Sequence, residues 1–179
     1  MSDETNIEVK SDPRLNVSAA AINEVYAEGK KLESYMQTAA DAVKQLVESK
    51  NIANKYQGEL KKLDKEKYKD AIASSKDITK KIDSIVAIYI GKEDKRQGIT
   101  RNPEMNVMTR INGARRYVLT RKTGITDTER QLIRFASEDL NSALEGTNAF
   151  FATDWKAYRE EIEKLDASPF KETKTFSLE

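Results

Sequence analysis

Two groups of neighbouring carboxylates are the residues whose type and spacing could carry out acid–base chemistry. They are Glu138-Asp139 and Glu160-Glu161-Glu163. A catalytic pair of carboxylates needs a cleft that raises the pKa of one member. These positions fall largely off the apolar stripe of the helix that contains them, on a face that solvent should cover. We therefore predict no catalytic residue in this chain.

The absence of both histidine and cysteine removes several kinds of site. Without them there is no disulfide, no thiolate nucleophile and no Cys/His metal site. Ser-His-Asp and Cys-His catalysis are excluded, and so is the Glu-x-x-His di-iron site of some four-helix bundles. We predict no cofactor and no metal.

Basic residues cluster in the predicted third helix and in the loop before it. The loop contributes Lys92, Lys95, Arg96 and Arg101, and the candidate basic patch on the helix is Arg110, Arg115, Arg116 and Arg121. One interpretation is a nucleic-acid footprint. The other is pairing with the helix that follows, where residues 126–166 hold ten acidic against five basic side chains. We favour internal pairing, because no aromatic platform is interleaved with the arginines and the chain's net charge is only +1.

Four aromatic residues at helical spacing lie near the C-terminus and include the chain's only tryptophan. They are Phe150, Phe151, Trp155 and Tyr158. Such a cluster could line a ligand pocket, anchor the core, or form an interface with another domain. We favour core anchors and keep the interface as an alternative.

The helix that positions these aromatics is predicted over residues 126–165. Thr126 followed by Glu129 is typical of a capping box at a helix start. Apolar or small residues then recur three and four positions apart up to Phe150, after which the stripe steps one residue along, to Phe151. A helix of this length, about 60 Å, needs a surface on which to bury its stripe.

Three further helices supply that surface. Helix 1 is predicted from about 18 to 62, with Ser18 as its cap and an a/d heptad pattern. Helix 2 follows a short hinge and ends at Gly91, and helix 3 runs from Asn102-Pro103 to Thr123-Gly124. The sequence thus predicts an all-α fold, an antiparallel four-helix bundle of two long helical hairpins. Because helices 1 and 4 are the longer pair, part of them should project as a two-helix stalk or be covered by something else.

The predicted organisation is an extended arm over 1–16, the bundle over 17–166 and an extended tail over 167–179. Residues 6–10 alternate apolar and polar, as in a strand, so the arm is either an ordered arm or the last strand of a missing β domain. We read the tail as partly docked through its two phenylalanines. No apolar run is long enough to span a membrane, and the chain carries no signal peptide. The chain is therefore either cytosolic or one domain of a longer exported protein.

Several motifs resemble those of a known family. They are Val9-x-x-Asp12-Pro13-Arg14-Leu15-x-Val17-Ser18, Gly98-Ile99-x-Arg101-Asn102-Pro103, Arg110 with Ala114-Arg115-x-Tyr117, Thr126-x-Thr128-Glu129, Asn148-x-Phe150-Phe151-x-x-Asp154-Trp155-x-x-Tyr158-Arg159, and Ser168-Pro169-Phe170. With them, the chain resembles the C-terminal helical region of exported bacterial proteins that carry a sortilin-like, BNR-repeat β-propeller, often labelled glycosyl-hydrolase-like.

The resemblance implies a non-catalytic accessory domain that packs against or extends the propeller of a larger exported protein. Catalytic acids of such proteins would lie on the propeller, so no catalytic residue is carried over to this chain. Its partners would be its own upstream β domains. Two alternatives stay open: a freestanding interaction module that forms a homodimer through helices 1 and 4, and a nucleic-acid binder through the basic patch.

Overall fold

The computed structural model describes residues 4–8, 10, 12, 14, 17–92 and 105–165, and its ordered part is helical. The elements are α1 (Ala19–Leu63), α2 (Lys69–Ile90), α3 (Val107–Thr120), α4 (Asp127–Phe150), a five-residue π turn (Phe151–Trp155) and α5 (Lys156–Glu163). The helical backbone continues through the π turn, so α4 and α5 form one interrupted helix. The prediction of an all-α bundle with four helices is confirmed. Residues 4–8 and 10 form no strand, and residue 9 lies outside the described residues.

α1 is a continuous helix of 45 residues, about 67 Å long, and it forms one full column of the bundle. α2 runs antiparallel beside its C-terminal half, where Lys50 Nζ lies 2.6 Å from Asp83 Oδ1. α3 follows the N-terminal half, where Leu119 approaches Gly29 so closely that a Cβ there would lie 3.0 Å from Leu119 Cδ2. α2 and α3 therefore lie end to end along α1 and not side by side.

The third column is the interrupted helix α4–α5, which runs antiparallel to both α2 and α3. The Thr147 hydroxyl lies 2.8 Å from the Tyr89 hydroxyl of α2, and Ser74 donates to Glu161 at 3.1 Å. Three helices thus lie side by side at every level of the bundle. We predicted that part of the long helices would project as a two-helix stalk or be covered by something else. No stalk occurs among the described residues, because α2 and α3 in series cover both long helices.

Helix ends follow local capping signals. Ser18 accepts a hydrogen bond from the Ala21 amide, and the predicted Thr126–Glu129 capping box is present at the start of α4. Gly91 ends α2 with a φ of 81°, a conformation that side chains with a Cβ disfavour.

The predicted bounds of helix 3 need two corrections. Asn106 caps α3 by accepting from the Thr109 amide at 2.9 Å, so the helix begins at Val107 and not after Asn102-Pro103, which lies outside the described residues. α3 also ends at Thr120 and not at Gly124. Gly124 instead has a φ of 105° in the turn into α4.

The core is a single apolar seam between the three columns. Its α1 members recur every seven residues: Leu32, Ala39, Leu46, Ala53 and Leu60. Alternating leucine and alanine leaves room for neighbouring helices to approach, as in knobs-into-holes packing. The seam spans the length of α1 and holds both halves of the α2–α3 column in place.

Candidate interaction site on the C-terminal helix

The π turn keeps the apolar stripe of the C-terminal helix facing the core. Phe150 and Tyr158 are both buried, yet they are eight residues apart. In a regular α-helix eight residues would rotate Tyr158 by about 80° beyond two full turns. The wider π turn takes up the extra residue and returns Tyr158 to the face of Phe150. The one-residue step of the stripe in the sequence coincides with this turn.

The four predicted aromatics form one chain of ring contacts, which we call the aromatic ladder (Phe150, Phe151, Trp155 and Tyr158). The ring centroids are 5.2 Å apart for Phe150–Phe151, 6.3 Å for Phe151–Trp155 and 5.5 Å for Trp155–Tyr158. The first two pairs are edge-to-face, a favourable arrangement of ring quadrupoles. Phe150 and Tyr158 lie in the core, whereas Phe151 and Trp155 are half-buried at its edge. The ladder therefore runs from the core to the surface.

Contacts with α2 fix the ladder in position. The Tyr158 hydroxyl lies 3.0 Å from that of Ser75, which also donates to the Ala71 carbonyl. Burial raises the pKa of the Tyr158 phenol above its usual value, and the bond to Ser75 opposes that shift. The hydrogen bond between Tyr158 and Ser75 thus restrains the rotation, about its own axis, of the helix that carries the half-buried rings.

An apolar strip of α1 borders the ladder. Ile52, Tyr56 and Leu63 are exposed, and their spacing places them on one face of α1. Lys50 and Gln57, which contact α2, lie on the other side of α1 from these residues, so this face lies on the α5 side of the bundle. We call these three residues the α1 strip. Ladder and strip together offer a partner apolar surface on two adjacent helices.

A shallow concavity of about 390 Å³ accompanies the exposed end of the ladder. It is lined by Phe151, Trp155, Lys156, Arg159, Glu160 and Glu163. Arg159 Nε donates to Glu163 at 2.7 Å, so those two rim charges are already paired. Such a surface suits an apolar side chain of a partner with polar groups around it.

Four of the five carboxylates that we considered for catalysis form hydrogen bonds or ion pairs with nearby side chains. Asp139 forms an ion pair with Arg110, Glu161 accepts from Ser74, and Glu138 lies 3.7 Å from Arg134. Within 17–92 and 105–165, no three carboxylates come together in the way that a metal site would require.

The structure divides the four arginines of the candidate basic patch into two pairs. Arg110 contacts Asp139 and lies over the Phe135 ring at 5.6 Å. Arg121 Nη2 lies 2.7 Å from Glu129 Oε1. Arg115 and Arg116 are exposed on the outer face of α3. Of the basic residues in the preceding loop, Lys92 is described, whereas Lys95, Arg96 and Arg101 lie outside the described residues.

Glu129 is a buried carboxylate that sequence reasoning identified only as a cap. Its side chain is fully buried, and Oε2 accepts from the Thr126 amide at 2.9 Å. The bonds from Arg121 and Thr126 lower the pKa of this carboxyl to about 2 against the opposing effect of burial. It therefore stays ionised at neutral pH and joins α3 to the first turn of α4.

Comparisons with known proteins add no relative. No protein-family model, no curated protein and no solved structure matched this chain. None of the helices in the described part combines the length and the apolar run needed to cross a bilayer. The fold and site define an elongated, all-α antiparallel bundle with an aromatic ladder at one surface.

Proposed function

We propose that this chain is a non-catalytic helical accessory domain of a larger exported, sortilin-like propeller protein, and that it packs against or extends the propeller through the aromatic ladder. The observation that supports this proposal is the pair of half-buried rings, Phe151 and Trp155, at the edge of a restrained helix. Aromatic side chains of this kind dominate the binding energy of many interfaces, because they bury a large area at a small cost in conformational entropy.

Polar bonds next to the aromatic ladder favour a permanent contact between domains. The Lys81 ammonium lies 2.6 Å from Asp154 within the π turn, and Thr153 donates to the Ala149 carbonyl at 2.8 Å. These bonds hold the helix that carries the half-buried rings before any partner arrives, so docking orders few groups. The neighbouring α1 strip widens the apolar surface beyond what two rings provide.

The first test is the coding sequence before the Met1 codon. An in-frame propeller is the expected result, and a stop codon immediately upstream would overturn the proposal. The second test measures binding between that propeller and this chain, expressed separately. Trp155→Ala should weaken binding about thirtyfold or more, the loss of an interface hot spot. Tyr117→Ala, which removes an exposed aromatic of α3 far from the ladder, should leave the affinity unchanged.

A homodimer through the long helices α1 and α4 is the second candidate, and the α1 strip favours it. Ile52 and Tyr56 are separated by one helical turn and expose apolar surface along α1. Sedimentation equilibrium over a concentration series would show the mass doubling, and Ile52→Lys would restore the monomer. A monomer at every concentration would remove this candidate.

Nucleic-acid binding is a weaker third candidate, supported by the exposed Arg115 and Arg116 next to the exposed Tyr117. Because Arg110 and Arg121 are engaged by acidic residues of α4, only half of the candidate patch has its charge free for phosphates. Retention on DNA at low salt that falls steeply as salt rises would support it. The double variant Arg115→Gln/Arg116→Gln should then abolish retention.

A further inference from the structure

A second surface with exposed apolar side chains lies between α1 and α3, in the opposite half of the bundle from the aromatic ladder. Leu119 of α3 approaches Gly29 of α1, where a Cβ would lie 3.0 Å from Leu119 Cδ2. Tyr26 and Ile22 precede Gly29 by one and two helical turns, so they lie on the same face of α1. Ile22 and Leu119 are each 48% exposed, and Tyr26 is 65% exposed. We call these three apolar residues the α1–α3 groove.

Two arginines of α3 border the α1–α3 groove. Arg115 and Arg116 precede Leu119 by one helical turn, and both side chains are exposed. Neither arginine forms a hydrogen bond or an ion pair with another residue that the structure describes. α3 itself contains no acidic residue, so nothing on this helix balances their charge.

The border of the groove carries a net positive charge. Its α1 side contributes Lys30 and Glu33, whose Nζ and Oε2 atoms form an ion pair at 2.8 Å. That pair is neutral, so Arg115 and Arg116 leave two positive charges unbalanced. Positive charge beside exposed apolar side chains complements a segment that carries both carboxylates and apolar side chains.

We propose that the α1–α3 groove binds an acidic segment of a partner protein. The carboxylates of the segment would pair with Arg115 and Arg116, and its apolar side chains would cover the exposed side chains of the groove. A nucleic acid fits this surface less well, because a phosphate backbone gains nothing from aliphatic side chains and needs more cations than two. The groove shares no residue with the aromatic ladder or the α1 strip, so this binding is independent of docking to the propeller.

The test titrates the whole, isotopically labelled chain with three short peptides, blocked at both ends, and follows the backbone amide resonances. Asp-Asp-Leu-Phe-Asp-Asp carries both features, Asp-Asp-Ser-Ser-Asp-Asp keeps only the charge, and Asn-Asn-Leu-Phe-Asn-Asn keeps only the apolar pair. The first peptide should shift the amides of 22–33 and 112–120 with a dissociation constant on the order of 1 mM, and the other two should bind about fivefold more weakly. Equal binding of all three, or no saturation by the first at tens of millimolar, would overturn the proposal.

Variants at exposed positions then assign the contacts. Arg115→Gln/Arg116→Gln should weaken the first peptide about fivefold and leave the uncharged peptide unchanged, because it removes the partners of the carboxylates. Tyr26→Ser should weaken the first peptide and leave the serine peptide unchanged, because it removes apolar surface only. The matched control Lys44→Gln/Lys76→Gln removes two exposed cations outside the groove and should change no affinity.

Two results of these experiments would count against an acidic protein segment. An equal loss of affinity in the lysine control would show that the peptide responds to the overall charge and not to the groove. A short single-stranded DNA that binds the groove more tightly than the first peptide would assign the arginines to nucleic acid instead. The comparison of the three peptides in the unmodified chain needs no variant to fold.

Discussion

Deleting Ala152 from the π turn should leave the protein folded and close to its original stability. Ala152 is exposed, and the turn that contains it accommodates one residue more than a regular helix would. Without it, Phe150 and Tyr158 would be seven residues apart, about 20° short of two full turns of α-helix. Both rings would still face the core. We expect the free energy of unfolding to change by no more than about 1 kcal/mol, typical of a change that removes no core contact.

The matched control is deletion of Gln45, an exposed residue in the uninterrupted helix α1. That deletion rotates the following half of α1 by about 100° relative to the preceding half. It turns Leu46 and Leu60, both almost fully buried, away from the seam. Losing a buried leucine costs about 2–5 kcal/mol, so the two together cost about 4–10 kcal/mol, comparable with the whole stability of a typical domain.

Urea denaturation followed by circular dichroism measures both deletions, and the emission of Trp155 shows whether the ladder keeps its environment. We predict a cooperative transition with a nearly unchanged midpoint for the Ala152 deletion, and loss of the folded state for the Gln45 deletion. If the Ala152 deletion were as damaging as the Gln45 deletion, the π turn would not be what keeps the stripe in phase.

Three further predictions concern stability. Gly58→Ala and Gly146→Ala should each raise the free energy of unfolding by about 0.5–1 kcal/mol in urea titrations, because a Cβ at either helical position meets no neighbouring heavy atom within 4 Å. Gly124→Ala should lower the free energy of unfolding, because Gly124 has a φ of 105° and a Cβ there would lie 3.2 Å from the Ala21 Cβ. Arg121→Ala should lower the free energy of unfolding by about 3 kcal/mol, because the buried Glu129 carboxylate loses its cation. The control Arg115→Ala, at an exposed position of α3, should change the free energy of unfolding by no more than about 0.5 kcal/mol. The pKa of Glu129 is about 2 in the folded state against an ordinary 4.5, so the ionised carboxylate contributes fully to the free energy of unfolding above about pH 4.5. That contribution is lost as the pH falls towards 2. Glu129→Gln should therefore flatten this part of the pH–stability curve, and an unchanged slope would contradict the low pKa.

The local signals of this fold were readable from the sequence. The heptad pattern of α1, the Ser18 cap and the Thr126–Glu129 capping box each involve residues within a few positions of one another. The periodicity also identified the core faces, because amphipathic spacing shows which side of a helix is buried. The all-α bundle followed from these signals alone.

The arrangement of the helices could not be read in the same way. Periodicity gives the buried face of a helix but not the height at which its partner lies, so α2 and α3 could not be placed end to end. The π turn left a trace in the one-residue step at Phe151, but a bend in a regular helix would leave the same trace. Asn106 with Thr109 was a usable start signal for α3 that the more conspicuous Asn102-Pro103 obscured.

The candidate site was partly visible in advance. Spacing identified the four aromatics, but only the position of α1 and α2 decides that Phe150 and Tyr158 are buried while Phe151 and Trp155 are half-buried. Opposite net charges on helices 3 and 4 suggested internal pairing, and the contacts of Arg110 and Arg121 are of that kind.

Trp155 offers the most direct test of docking through the aromatic ladder, because it is the only tryptophan of this chain. The measurement compares acrylamide quenching of its fluorescence in the isolated chain and in the chain joined to the upstream propeller that we propose, with any propeller tryptophans replaced by phenylalanine. We predict that Trp155 becomes shielded in the joined protein, with weaker quenching and emission at shorter wavelength. Equal quenching in the two proteins would contradict docking through the ladder.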